Sequence, residues 1–331
     1  MRIALVDVHA RLPASGYGGV ERILWWLGRE LTRRGHEVSF VVAEGHCPFA
    51  AVIAFDGSRP LAAQLPRGTD VVHFHHALRW ALRDGEDPGA PHLVTLHGTG
   101  ASEHELDRDT VFISESQAAR HGSRCVVHNG IDWSDYPAPD LDAPRSWVHF
   151  LGDGAWRVKN LRGAIDVARR AGETLHVGGG FRLNFRMGFR LTLSPRVRFH
   201  GWVGGEEKWR LLRGSRGLVF PVRWQEPFGL AIVESLWFGC PVFGTPYGSL
   251  PELVPPEVGV LSTSAAELAE AVRQAARIDR RACHAQAARF GVGAMVDGYL
   301  LAYEKVRAGE HLHAAPPRRV GPREPKLLPW S

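Results

Sequence analysis

Lysine is scarce in this 331-residue chain: Lys159, Lys208, Lys305 and Lys326 are the only four among 40 lysines and arginines. In a chain so biased to arginine, a retained lysine hints that a guanidinium will not serve at that position. Long apolar runs are also missing. No stretch of about 18 apolar residues occurs, so no segment reads as a membrane-spanning helix. The opening Met1-Arg2-Ile3-Ala4-Leu5-Val6-Asp7 is too short and too soon acidic for a signal peptide and reads as a buried first strand. The four cysteines (Cys47, Cys125, Cys240, Cys283) are scattered without a C-x-x-C pair. That spacing argues against a disulfide framework or a structural zinc site and suits a reducing, cytoplasmic setting. No basic run interleaved with aromatics appears outside the short C-terminal tail, which argues against a nucleic-acid partner. No repeat of solenoid length is visible. The balance that remains is basic, with a net charge of +5 and a pI near 9.3, which favours anionic ligands or membrane surfaces.

What the chain does contain is an alternation of short β-branched runs with helix-length segments, the pattern of an α/β protein with parallel sheets. Strands are expected near Ile3–Val8, Val38–Val42, Val71–His75, Leu93–His97, Val111–Ser114 and Cys125–His128. A second set is expected near Trp147–Leu151, Leu175–Val177, Val197–Phe199, Gly217–Phe220, Val242–Phe243 and Val258–Leu261. The proline-rich stretch from Tyr136 to Pro144 separates them. The expected organisation is a first domain over 1–140, completed by a C-terminal helix at 293–307, and a second over 145–290. The Pro-, Arg- and His-rich segment 308–331 is expected to be poorly ordered. Val20, Ile23, Leu24, Leu27 and Leu31 fall on one helical face, and Gly35 stands where that helix stops. Trp25 and Trp26 lie off that face. They either pack under loops or, with Arg22, Arg29, Arg33 and Arg34, form a basic aromatic surface for peripheral docking on the inner face of a membrane.

Ligands of open parallel sheets gather outside the carboxyl ends of the strands. Those ends here are glycine-rich and polar: Gly16-Tyr17-Gly18-Gly19, His73-Phe74-His75-His76, His97, Asn129-Gly130, Gly152–Lys159, Gly178–Gly180, Gly201-Trp202, Pro221–Gly229 and Thr245–Leu250. Two domains facing one cleft are expected. The richest segment runs from Pro221 to Glu234. Proline and glycine before an apolar helix leave the amides of Phe228, Gly229 and Leu230 at the helix start, a ready anion site. Glu234 lies four residues past Leu230, about 6 Å along the helix, a plausible reach from a diphosphate to the ribose of the same nucleotide. The Asp-x-Asp pairs Asp107/Asp109 and Asp140/Asp142 are read as chance, and His73, His75 and His76 as satisfied histidines, so no metal is expected.

Glu226-x7-Glu234 in the setting Glu-Pro-Phe-Gly-Leu resembles the signature of the GT-B retaining glycosyltransferases of family four. Gly18-Gly19-Val20-Glu21-Arg22, Arg34-Gly35-His36-Glu37-Val38, Asn129-Gly130-Ile131-Asp132 and Gly239-Cys240-Pro241-Val242 resemble further landmarks, over roughly residues 1–307. The resemblance implies two Rossmann-like domains, a nucleotide-diphosphate-sugar donor, a hydroxyl acceptor (glycan, lipid-linked or small) and no metal or other cofactor. It implies that Gly18 and Gly19 approach the donor phosphates and acceptor, and that His97 contacts the transferred sugar. It places Glu226 near the sugar hydroxyls, Glu234 on the ribose, Lys159 on the diphosphate and Trp202 beside the base. Where the family carries arginine after the first glycine of the second domain this chain has Asp153, and Arg157 is expected to supply the charge instead. Two readings of other classes stay open: a GT-B protein that binds nucleotide or glycan without transfer, and a nucleotide-sugar epimerase or hydrolase.

Overall fold

A computed structural model of the protein describes residues 1–13, 18–99, 106–321 and 324–331. The chain divides into two compact units, Met1–Trp133 with Phe290–Pro322, and Ser134–Arg289 with Arg323–Ser331. The division falls just before the proline-rich stretch, and the chain re-enters the first unit at residue 290.

The first unit contains β1 (Arg2–Leu12), α1 (Gly19–Arg33), β2 (Glu37–Gly45), β3 (Ala51–Ala54), β4 (Val71–Phe74), β5 (His92–Leu96), β6 (Thr110–Phe112) and α2 (Glu115–Ala119). Its sheet is entirely parallel, in the order β3-β2-β1-β4-β5-β6. This is the order of doubly wound nucleotide-binding sheets, with the reversal between β1 and β4. Cys125–His128 forms no named strand. It contributes a single bridge, Phe112 to Val126, at the β6 edge.

Ile23, Leu24, Leu27 and Leu31 of α1 are buried as the helical phase requires, and Gly35 sits at φ 86 beyond the helix end. Trp26 is buried as well, at 3% exposure. The reason is that α1 packs on β1 and β2 and also meets a later helix, so more than one stripe of it is covered. Trp25 lies edge-on against Phe49, ring centroids 4.9 Å apart. The neighbouring arginines are paired, Arg29 with Asp132 at 2.6 Å, Arg33 with Glu30 at 2.6 Å and Arg34 with Glu30 at 2.8 Å. Of the two readings of Trp25 and Trp26, these contacts support packing, while Arg33 stays largely exposed.

The second unit runs β7 (Trp147–Leu151), α3 (Leu161–Ala171), β8 (Leu175–Gly178), β9 (Leu183–Asn184), β10 (Arg190–Leu191), β11 (Val197–Phe199), α4 (Gly205–Arg213), β12 (Ser215–Phe220), α5 (Leu230–Trp237), β13 (Val242–Gly244), α6 (Leu250–Leu253), β14 (Gly259–Leu261), α7 (Ala265–Arg273) and α8 (Arg280–Ala288). The parallel order β11-β8-β7-β12-β13-β14 repeats that of the first sheet, with its reversal between β7 and β12. Strands β9 and β10 stand apart as a two-stranded antiparallel hairpin between β8 and β11. A buried cluster of Val148, Phe150, Val167, Leu175, Val177, Val219, Leu268 and Val272 fills the space between sheet and helices.

The last helix, α9 (Val292–Arg307), belongs to the first unit and packs on α1, β4 and β5. Its Tyr303 hydroxyl lies 2.7 Å from His73 Nδ1, and its Tyr299 hydroxyl 2.8 Å from Thr95 Oγ1. The segment beyond it departs from the expectation of poor order. His311 and the Leu312 amide both reach Asp109, the Val320 amide donates to Arg120, and the Leu328 and Ser331 amides donate to Arg223 and Thr263. Among the described residues no helix is long and apolar enough to cross a membrane.

Candidate active site

In the second unit the expected residues converge on the carboxyl edge of the sheet, at its reversal point. The loops after β7, β8 and β11 are stitched together by glycine amides: Gly152 to Gly178 at 3.0 Å, Gly154 to Gly179 at 2.6 Å and Gly179 to Gly201 at 2.5 Å. A Cβ on Gly179 would meet the Gly152 carbonyl at 2.2 Å, so this close approach needs glycine. Trp202 follows in the same row and is exposed. The loop after β7 is joined to the loop after β12 at two points. Asn160 Nδ2 donates to the Pro221 carbonyl at 2.9 Å, and the Arg223 amide donates to the Val158 carbonyl at 2.7 Å.

This joining brings Lys159 and Glu226 into a nearly buried ion pair at 2.6 Å. The ammonium also lies 4.9 Å from the Trp224 ring, 5.2 Å from Phe220 and 5.7 Å from Trp156, and Trp224 Nε1 donates to the same Glu226 oxygen at 2.9 Å. The ammonium is thus held by the carboxylate and by cation–π attraction to three rings. The Glu226 backbone is clamped from the loop after β13. The Ser249 amide donates to the Glu226 carbonyl at 2.9 Å, and Ser249 Oγ donates to the Phe228 carbonyl at 2.6 Å. Gly229, at φ 88, precedes α5, and the first amides of any helix lack partners one turn back. Phe228, Gly229 and Leu230 thus stand at the helix start, as expected from the sequence.

Glu234 lies one turn into α5 and is 2% exposed. Its Oε1 accepts from Lys208 Nζ at 2.6 Å and from the Tyr136 hydroxyl. So each glutamate of the Glu-x7-Glu pair carries a lysine. The shortage of lysine flagged both, but nothing in the sequence joined Lys208 or Tyr136 to Glu234. Behind them His149 on β7 bridges Ser215 Oγ at 2.6 Å and Ser235 Oγ at 2.9 Å. Complete burial pushes its pKa down to about 3, so this imidazole is neutral and fixes α5 one residue from Glu234.

Asp153 does not stand open beside this site. One oxygen accepts from the Ala155 amide at 2.9 Å, closing a tight turn, and the other accepts from Arg186 at 3.0 Å. Arg186 comes from the turn of the β9–β10 hairpin and went unnoticed in the sequence. Arg157 is exposed, on the short turn that ends at Lys159.

In the first unit a cavity of ≈ 910 Å³ opens at the carboxyl edge. Gly19, Glu21, Asp7, His75, His97 and Trp80 are among its lining residues. Gly18 adjoins it, and Gly16 and Tyr17 lie outside the described residues. His97 Nε2 and His75 Nδ1 share a hydrogen bond of 2.9 Å, their rings stacked 5.1 Å apart. His75 Nε2 is buried with no partner among the described residues. His76 accepts from the Val8 amide at 3.1 Å and donates to the Ala77 carbonyl at 3.0 Å. Burial lowers the pKa of His75 and brings His76 and His97 down to about 4, so the cavity wall presents neutral imidazoles. The Asp-x-Asp matches serve structure: Asp109 holds His311 and Leu312, Asp107 pairs with His92 at 3.3 Å, and Asp142 pairs with Arg281 at 2.8 Å.

Residues 146–277 match the family model described as Glycosyl transferases group 1. No curated protein matches the chain. Among solved structures it is similar to AviGT4, a glycosyltransferase involved in avilamycin A biosynthesis, with 24% identity, a TM-score of 0.73 and coverage of 93% of this chain and 98% of that one. Sucrose-phosphate synthase from Thermosynechococcus elongatus matches at 20% identity and a TM-score of 0.73, over 93% and 100% of the two chains. Anabaena Alr3699/HepE in complex with UDP-glucose matches at 18% identity and a TM-score of 0.66, over 92% and 99%.

Proposed function

We propose that the chain transfers a hexose-type sugar from a nucleotide-diphosphate-sugar to a hydroxyl acceptor, with retention of anomeric configuration, a reading supported by its GT-B fold and by the match of residues 146–277 to the group 1 glycosyl transferase model. The observation that carries this reading is the Lys159–Glu226 pair at the sheet reversal beside the start of α5. Departure of a nucleoside diphosphate requires charge stabilisation on its leaving oxygen. Lys159, Arg157 and the amides of Phe228, Gly229 and Leu230 supply it without a metal ion. Glu226 is assigned to the sugar hydroxyls, and not as a covalent nucleophile or general base, because retention here is read as same-face substitution with the leaving phosphate assisting deprotonation of the acceptor. Glu234 is assigned to the ribose. A carboxylate accepts about four hydrogen bonds, and Lys208 and Tyr136 both use Oε1, which orients the group while the carboxylate still serves as acceptor. Trp202 is assigned to the base, and Gly18, Gly19 and His97 to the acceptor and the reacting sugar.

A thermal-shift panel of nucleoside diphosphates and nucleotide-sugars tests the reading. A true donor at 100 times its dissociation constant stabilises the protein by about 2.7 kcal/mol. Failure of every nucleotide to stabilise it would remove the donor site. Stabilisation by a nucleotide-sugar that is never consumed, with or without acceptor, would leave a binding protein rather than a transferase.

A further inference from the structure

The connection between β8 and β11 holds the least expected surface of the molecule. Adjacent parallel strands are usually joined by a helix, but here the connection is the β9–β10 hairpin. Its sequence, Phe181-Arg182-Leu183-Asn184-Phe185-Arg186-Met187-Gly188-Phe189-Arg190-Leu191-Thr192-Leu193, alternates strictly through Phe185 and again from Phe189. In a strand such alternation sorts side chains onto two faces. The polar set is tied to backbone and to neighbouring side chains, with Arg190 and Thr192 buried against the unit. Arg182 donates to the carbonyls of Thr192, Ser194 and Val197, and Arg190 to the Phe181 carbonyl and Thr192 Oγ1. Arg186 holds Asp153, and Arg162 on α3 donates to the Phe189 carbonyl at 2.5 Å. The apolar set faces outward. Phe181, Leu183, Phe185, Met187, Phe189, Leu191 and Leu193 are each between 47% and 81% exposed. Leu183 is paired directly with Leu191, and the Phe185 and Phe189 rings sit 5.8 Å apart. The usual sheet has thus been turned inside out, and seven large apolar side chains form one exposed patch of the kind that marks a contact surface.

The charge around the patch selects its partner. From Thr174 to Gly205 there is no aspartate or glutamate, and there are five arginines, of which Arg196 and Arg198 are exposed just beyond the hairpin. Apolar side chains rimmed by arginine are the chemistry that enters the acyl–headgroup boundary of an anionic bilayer, with guanidinium groups left at the phosphates. We propose that this hairpin is a membrane-docking element that inserts Phe185, Met187 and Phe189 into an anionic lipid surface. The inference is independent of the transfer reaction and reassigns membrane contact from α1, whose tryptophans and arginines are engaged elsewhere.

Co-sedimentation of the full-length protein with phosphatidylglycerol/phosphatidylcholine vesicles at low salt tests it. Wild type is expected to bind these vesicles and not pure phosphatidylcholine. Phe185→Ser/Phe189→Ser should lower the partition coefficient roughly tenfold or more, since each phenylalanine removed from an apolar phase costs over 1 kcal/mol. Arg196→Gln/Arg198→Gln should lower it by about thirtyfold, at about 1 kcal/mol per basic residue near the surface. Leu183→Ser/Leu193→Ser supplies a second apolar variant, and unchanged circular dichroism establishes that each variant is folded. Three results overturn the proposal: no binding by wild type, equal binding by wild type and both apolar variants, or lipid-free dimers of wild type that both apolar variants convert to monomers.

Discussion

Acid should destabilise the second unit through His149 by an amount set almost wholly by the unfolded chain. Both imidazole nitrogens are committed in the folded state. The Ser235 hydroxyl donates to the Ala231 carbonyl at 2.6 Å, so it can only accept from His149 Nε2–H, and Nδ1 is left to accept from Ser215. Burial of the ring with no solvent access opposes a second proton, and the folded pKa falls to about 3 against an ordinary value of 6.5. A depressed histidine pKa contributes full stability above the unfolded value, and that stability is lost as pH falls through 6.5 toward the folded value. At pH 7.5 the penalty is about 0.1 kcal/mol. At pH 5.0 the unfolded imidazole is protonated and the folded one is not, and the penalty reaches about 2 kcal/mol. Moving the folded pKa up by a unit hardly changes this figure, since 4 still lies below 5. Urea denaturation at pH 7.5 and 5.0, for wild type and His149→Gln, isolates the effect. The other neutral histidines, His73, His75, His76, His97 and His176, act in the same direction in both proteins and cancel. Wild type should lose about 2 kcal/mol more than the variant over this interval. Equal losses would refute the claim that His149 is held neutral between the two serines.

Three further outcomes are expected. Lys208→Met should destabilise the protein by about 3–5 kcal/mol, because it strands a buried carboxylate, and adding Glu234→Gln should recover part of the loss; thermal melts of the single and double variants decide it. Arg157→Ala should cost roughly 2–4 kcal/mol of transition-state stabilisation, while Arg186→Ala should raise donor KM by exposing Asp153 and Asp153→Asn should reverse that rise; turnover of Arg157→Ala within twofold of wild type would remove Arg157 from the phosphate site. Chelator should leave the transfer rate unchanged, and an activity lost in chelator and restored by one divalent ion would replace the proposed charge stabilisation with a metal.

Much of the architecture was legible because parallel strands buried on both faces leave short, largely apolar runs. Trp147–Leu151 and Val242–Phe243 are such runs, and the glycines after β7, β8 and β11 mark the carboxyl edge where the candidate site lies. The edges read less well. Ala51–Ala54 offers only Val52 and Ile53 between two alanines, too short a run to announce a strand, and Cys125–His128 has the composition of one but makes only one bridge. Trp26 lies off the main stripe of α1 yet is buried, because that helix is covered on more than one side. The tail reads poorly because composition measures core-forming capacity, whereas His311, Leu312, Val320, Leu328 and Ser331 are held by hydrogen bonds to the two units. Lys159 and Lys208 are two of the four lysines, but their carboxylate partners lie 67 and 26 residues away in sequence, separations that only the folded chain resolves. The period-two pattern of Phe181–Leu193 was visible throughout. It carried no warning that the apolar face would be the outer one.

The return of α9 to the first unit has a consequence for synthesis on the ribosome. The first unit begins the chain, yet His73 and Thr95 receive the hydroxyls of Tyr303 and Tyr299 only after the whole stretch 134–289 has been made. That stretch already contains every strand of the second sheet. The unit translated first is therefore the one whose core closes later, and until α9 arrives the β4–β5 surface that it covers is open to solvent and to other nascent chains. A fragment ending at residue 289 would keep that vulnerability permanently.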